Sequence, residues 1–231
     1  MAANRAYIKQ VSPDVGADTD SPVIYQNRDH ATYINSREGL VDQWTRDGRV
    51  FMTANATPGT TVGGSANGTA ITATAPSFRY TIPAGLTVVP ILFSAYVATV
   101  IAKSDIFQVI VSDTDTYSSG GLAGQPVRNA LMESNNALRS SQVTNVFNSG
   151  TTLVEAALTR PRQLKQMKRQ GQTAELQTTW NPEFNMLNHD PLLYITGPAS
   201  FLVWVLQQTT LAQFEYTAMW AELPTSIVSH P

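Results

Sequence analysis

Apolar positions in this chain fall into short runs, either alternating or unbroken, separated by stretches of Gly, Pro, Asn, Asp, Ser and Thr. Gln213–Leu223 alternates most clearly, with Phe214, Tyr216, Ala218 and Trp220 on one side and Gln213, Glu215, Thr217 and Met219 on the other. That period of two is the signature of a half-buried strand. Phe201–Leu206 (FLVWVL) is continuously apolar, as in a strand covered on both faces, and the same run predicts that Trp204 is buried. Ala70–Ala75 and Ser77–Ile82 alternate, and Phe78, Tyr80 and Ile82 share a face. Pro83-Ala-Gly85 then turns the chain into Leu86–Ala102 (LTVVPILFSAYVATVIA). This run of 17 residues, interrupted by Pro90, is shorter than the roughly 20 apolar residues a bilayer span needs. It reads as two buried strand segments meeting near Pro90 or as one long bent strand, and no membrane span is expected. Asp105–Val111, Glu175–Trp180 and Leu192–Thr196 are further strands. Trp44–Thr53 reads as a hairpin or bent strand around Asp47-Gly48, a turn dipeptide.

Other segments lack a sustained period. Residues 1–42 are polar and carry the acidic run Asp14, Asp18 and Asp20 between Pro13 and Pro22. Their apolar side chains come in scattered pairs, among them Tyr7, Ile8, Val23, Ile24 and Tyr25. Such pairs suit an extended arm pinned at intervals on a neighbouring subunit; the plainer alternative is a loosely packed terminus. Asn55–Gly68 reads as an exposed loop. Val127–Leu138 has a helical spacing, and the segment after Pro161 (RQLKQMKRQ) is rich in helix formers, so a short helix is predicted in each. Val143–Phe147 and Thr151–Leu158 resemble strands or strand–helix transitions.

The sum is about eight strands, which predicts an all-β chain: an eight-stranded jelly-roll or Greek-key sandwich with an extended N-terminal arm and one or two short helices in loops. The arm occupies residues 1–42, and a single sandwich domain occupies 43–231 with a basic, partly helical insertion at about 159–171. Composition agrees with strands. The 231 residues include 27 Thr and 17 Ser, and only 14% are charged, against about a quarter in an average soluble domain. Thr is β-branched and suits a half-buried pleated surface.

Candidate chemistry is sparse. With no Cys, disulfides, thiolate metal sites and thiol nucleophiles are excluded. His30, His189 and His230 form no ligand spacing, and His189-Asp190-Pro191 reads as a turn. The pairs Asp18/Asp20 and Asp113/Asp115 read as solvated turns rather than calcium sites or a glycosidase pair. No phosphate loop or nucleophile elbow is present, and MAANRAYIKQ lacks the apolar stretch of a signal peptide. Asn55-Ala-Thr57 and Asn67-Gly-Thr69 match the glycosylation sequon and read as chance matches. No catalytic residue, metal or cofactor is expected, so a non-enzymatic role is.

One charge feature stands out. Arg160, Arg162, Lys165, Lys168 and Arg169 are five of the chain's 15 basic residues, with no acidic residue among them. The chain's 15 Lys+Arg and 17 Asp+Glu give a formal charge of −2. The plain reading of the basic run is a solvated helical face. The functional one is contact with phosphates or with an acidic partner surface. No aromatic side chains are interleaved to stack on bases, so any nucleic-acid contact is expected to be non-specific.

In pattern, the passage Phe78–Pro90 (FRYTIPAGLTVVP), the long apolar strand after it, and the closing pair Phe201–Leu206 and Phe214–Leu223 resemble single-jelly-roll viral, phage-like capsid and other virion structural proteins. The resemblance covers roughly half the chain. It implies self-assembly with copies of itself and other virion proteins by side-by-side packing and arm exchange, contact with packaged nucleic acid, and residence in the virion after assembly in the host cytoplasm. The same sandwich serves receptor- or carbohydrate-binding heads, for which Trp44, Trp180, Trp204, Trp220 and eight Tyr would be the candidate sugar platform.

Overall fold

The computed structural model describes residues 37–64, 70–98, 104–124, 126–131, 139–148, 153–170, 180–186, 192–208 and 211–228. The chain divides into two units, Met1–Gln43 and Trp44–Pro231. Most of the first lies outside the described residues.

Among the described residues the second unit is mostly β-structure, in antiparallel sheets arranged as a sandwich. Its strands are β1 (Val50–Ala54), β2 (Val62–Gly63), β3 (Phe78–Ile82), β4 (Leu86–Val97), β5 (Ser104–Ser112), β6 (Tyr117–Ser119), β7 (Leu122–Ala123) and β8 (Arg128–Asn129), then β9 (Thr144–Asn148), β10 (Val154–Glu155), β11 (Arg162–Gln170), β12 (Glu183–Asn185), β13 (Ile195–Thr196), β14 (Ala199–Gln207) and β15 (Gln213–Pro224). One sheet runs β12-β4-β15-β1-β8, with β13 beside β4 and β2 beside β15. The other runs β11-β5-β14-β3-β9-β7, and β10 pairs with β6 apart from both.

The strand periods explain the layers. Phe78, Tyr80 and Ile82 face the same core as Phe93, Phe107, Val203, Phe214 and Trp220. Tyr80 stacks between Phe201 and Trp220 at centroid distances of 4.8 and 5.0 Å, a geometry worth more than area alone. β14 is buried along its whole length because the sheet has a second apolar layer. Ile106, Ile110, Leu202, Trp204 and Leu206 cluster there, with Ile71 and Leu158 against them. Leu86–Val97 is one bent strand. Opposite β15 the register slips between Met219/Trp220, which pair with Leu92 and Pro90, so Ile91 is the extra residue beside the proline that lacks an N–H.

Four local expectations are corrected. Asp47-Gly48 makes no hairpin: it ends α1 (Arg37–Arg46). Gly48 at φ +64° sits where the Gly48 N–H reaches the Thr45 carbonyl at 2.9 Å and the Arg49 N–H reaches Trp44 at 2.8 Å, which is a Schellman cap. Ala70–Ala75 is a turn, closed by the Ala75 N–H on the Thr72 carbonyl. Val127–Leu138 does not begin as a helix, since Arg128–Asn129 pairs with β1, and residues 132–138 lie outside the described residues. Arg162–Gln170 is a strand, so the insertion at about 159–171 is not helical. Its Gln, Lys, Arg and Met residues favour a helix only weakly, by tenths of a kcal/mol each, and eight registered pairs with β5 override that preference. A short helix, α2 (Thr225–Val228), follows β15.

Trp204 is fully buried, and its indole N–H donates to the Thr72 carbonyl at 2.9 Å. Trp204→Ala is expected to lower unfolding free energy by about 3–5 kcal/mol in urea titration; a loss below about 1 kcal/mol would contradict the double-layer packing.

Candidate functional site

The five basic residues singled out by sequence come together on and just before β11, the edge strand of the six-stranded sheet. Register divides them between faces. Arg162, Lys165 and Arg169 pair with Val111, Val109 and Asp105, whereas Lys168 pairs with Ile106 on the opposite face. A register shift between Gln163/Lys165 leaves Leu164 bulged and packed against the main core. Arg160, at φ +45°, turns the chain into the strand. Placing Lys and Arg on a long edge strand also keeps it from pairing indiscriminately.

Two of the five already have acidic neighbours. Arg162 donates to Asp113 at 2.9 Å. Arg169 lies opposite Asp105, whose carboxyl is raised by burial against the opposing effects of Gln207 and Arg169. Beside the start of β11 a cleft of about 240 Å3 opens, lined by Asp113, Arg162, Leu164, Leu193, Tyr194 and Ile195 among others. Tyr194 is 43% exposed there.

The segment that supplies Asp113 is held by an ion cluster around a buried guanidinium that sequence analysis missed. Arg79 is fully buried on the face of β3 opposite Phe78 and Tyr80. Its Nη1 donates to both Glu155 carboxylate oxygens at 2.9 and 3.1 Å. Its Nη2 donates to Asp115 at 3.0 Å, to Ser200 at 3.3 Å, and to Thr81. The guanidinium lies 4.8 Å from the Tyr117 ring centroid, within cation–π range. Thr116 Oγ1 donates to Glu155 at 2.7 Å. The Tyr117 N–H donates to Asp115 at 3.1 Å, the side-chain-to-backbone turn expected of this Asp-Thr repeat. The available signal was the alternation of FRYTI, which puts Arg79 and Thr81 on the second face; nothing local says that this face is covered.

Burial, the largest influence on both carboxyls, raises them. For Asp115 the Tyr117 N–H, Thr81 and Arg79 outweigh it, and the carboxyl lies below its usual range. For Glu155 Arg79 and Thr116 do not, and it lies above.

Elsewhere, Glu222 accepts hydrogen bonds from Trp220 Nε1 at 2.9 Å, the Gln142 N–H at 2.7 Å, and Ser141. It thereby ties residues 141–142 to β15. A cleft of about 310 Å3 lies over Ser94, Tyr96, Glu215 and Thr217, two directly paired positions of β4 and β15. Tyr96 is 44% exposed. The tryptophan platform is not found: Trp44, Trp204 and Trp220 are buried and Trp180 is half-buried. Among the described residues no group of three or more His, Cys, Asp or Glu is placed to hold a metal ion, and no helix is long and apolar enough to cross a membrane. Tyr7, Ile8, Val23, Ile24, Tyr25 and all three histidines lie outside the described residues. No protein-family model, curated protein or solved structure matches the chain.

Removing one partner of a buried ion cluster leaves the others uncompensated, so Arg79→Met is expected to cost about 3–5 kcal/mol near neutral pH. The Asp115 contribution to the pH dependence should change sign. In the parent, the depressed Asp115 carboxyl contributes stability that is present above the ordinary Asp value and lost as pH falls through its folded value. The raised Glu155 contributes in the opposite sense, losing stability as pH rises through its folded value. Without Arg79 burial is left to raise both carboxyls, so the variant should gain more stability than the parent between about pH 7 and about pH 5 in urea titrations. An equal pH slope for parent and variant would refute the cluster.

Proposed function

We propose that this chain is a virion structural protein, a capsid component that self-assembles by side-by-side packing of jelly-roll sandwiches and exchange of its N-terminal arm. Strand order is the observation that carries the reading. Take β1, β3, β4, β5, β11, β12, β14 and β15 as first to eighth. One sheet then reads sixth, third, eighth, first, and the other fifth, fourth, seventh, second. First pairs with eighth, second with seventh, third with sixth, and fourth with fifth. A single long antiparallel ribbon wrapped on itself would give this order, which supports a jelly-roll reading, an architecture common among viral capsid domains.

Fold alone does not carry function, so the reading also draws on what surrounds the sandwich. Three central strands of one sheet, β3, β5 and β14, are buried on both faces, which gives the block a well-packed centre. The open edge of that sheet carries the basic residues. The first 42 residues hold too few apolar side chains to form a core but enough, in pairs, to be pinned on another copy. Basic residues at the edge also allow non-specific contact with packaged nucleic acid.

A second reading, a receptor- or carbohydrate-binding head, is favoured by one observation. Tyr96 is exposed beside Glu215, Ser94 and Thr217, an aromatic face with polar groups suited to a sugar ring.

Deleting residues 1–30 is expected to leave a folded sandwich that no longer forms the parent's assemblies in sedimentation velocity. Identical particles of unchanged stability would remove the arm from the account. Unfolding of the truncated chain would place the arm in its own domain's sheet.

A further inference from the structure

We propose that the open edge of β11 is the acceptor for the arm of a neighbouring copy, which docks through its acidic stretch Asp14, Asp18 and Asp20 and adds a strand to the six-stranded sheet. This inference rests on the assembly reading above and specifies its contact. β11 pairs with β5 on one side, and among the described residues no strand lies on its other side. A nine-residue edge presents a row of outward N–H and C=O groups able to take an extended segment.

Charge selects the occupant. Arg162 is engaged by Asp113 and Arg169 lies opposite Asp105. Among the described residues no ion pair satisfies Arg160, Lys165 or Lys168. Three cations on and just before the strand, with Lys165 and Lys168 on its two faces, would thus meet three aspartates within seven residues of the arm.

Shape sets the direction. The sandwich ladders are antiparallel, and an antiparallel arm carries the residues after Asp20 towards Arg162. There the cleft lined by Leu164, Leu193, Tyr194 and Ile195 opens. The arm residues that arrive are Val23, Ile24 and Tyr25. Their apolar side chains suit a cleft whose exposed Tyr194 has no other cover among the described residues. At about 3.3 Å per residue, an extended Asp14 to Tyr25 would span about 36 Å and β11 about 26 Å, so the arm would reach past the strand to the cleft.

The test is a charge swap in full-length chains, read by sedimentation velocity at low salt. One variant carries Lys165→Glu and Lys168→Glu; the other carries Asp18→Lys and Asp20→Lys. Each alone is expected to lose about tenfold in assembled fraction, while an equimolar mixture, in which each arm finds an opposite edge in the other chain, regains assembly. A single chain carrying all four changes should also assemble. Thermal unfolding midpoints equal to the parent's establish that both variants fold, and the four-change chain decides the matter if one does not. Undiminished assembly of either variant would overturn the inference while leaving the assembly reading intact. Loss without rescue in the mixture would place the contact within one chain. A parent that never assembles would overturn the assembly reading itself.

Discussion

The buried guanidinium of Arg79 is the constraint on which the rest of the sandwich depends. A charge with no exposure in a β-sheet is tolerable only where carboxylates and hydroxyls surround it, and Glu155, Asp115, Thr81 and Ser200 do so. Two of these partners lie on an excursion between β5 and β11, so the cluster clamps that excursion over the outer face of the sheet. The clamp is continued by Thr159, whose N–H and carbonyl both bond Ser112 Oγ at 3.0 Å. Under this cover Trp204 and its neighbours form a second apolar layer, and β14 becomes the most enclosed strand.

The same excursion shapes the edge where partners would approach. Its Asp113 reaches Arg162 at the start of β11, which fixes one guanidinium, while Arg160 and Lys168 are exposed. The opposite sheet is less enclosed. Met52, Leu92, Met219 and Tyr96 remain partly or well exposed on it, and there the cleft over Glu215 and Thr217 opens. The two sheets thus offer different surfaces: a basic edge with a neighbouring apolar cleft, and a broad mixed face.

Much of this was legible in sequence where one force dominates. FLVWVL is unbroken because both its faces are buried, and QFEYTAMW alternates because one of its faces is not. The bend at Pro90 followed from its missing N–H. Misreadings arose where local chemistry is degenerate. Asp-Gly supplies a positive φ to a hairpin and to a helix cap alike, and the difference lies in whether residues 37–46 form a helix. RQLKQMKRQ has helix formers, but a partner strand some 55 residues away decides its state. The Arg79 cluster was illegible because its carboxylates stand 36 and 76 residues from it, and no periodicity links them. The basic run was found as a charge feature, although its geometry was not.

The proposed assembly therefore turns on how copies of the block would meet. A basic edge on the sandwich and the acidic stretch Asp14, Asp18 and Asp20 are opposite in charge within one chain, and such surfaces would generate repeating contacts if they joined head to tail. Electron microscopy of the purified full-length chain tests this most directly. The account predicts regular shells or lattices whose repeating unit is one sandwich. A preparation of dispersed monomers at every concentration and salt level would contradict it.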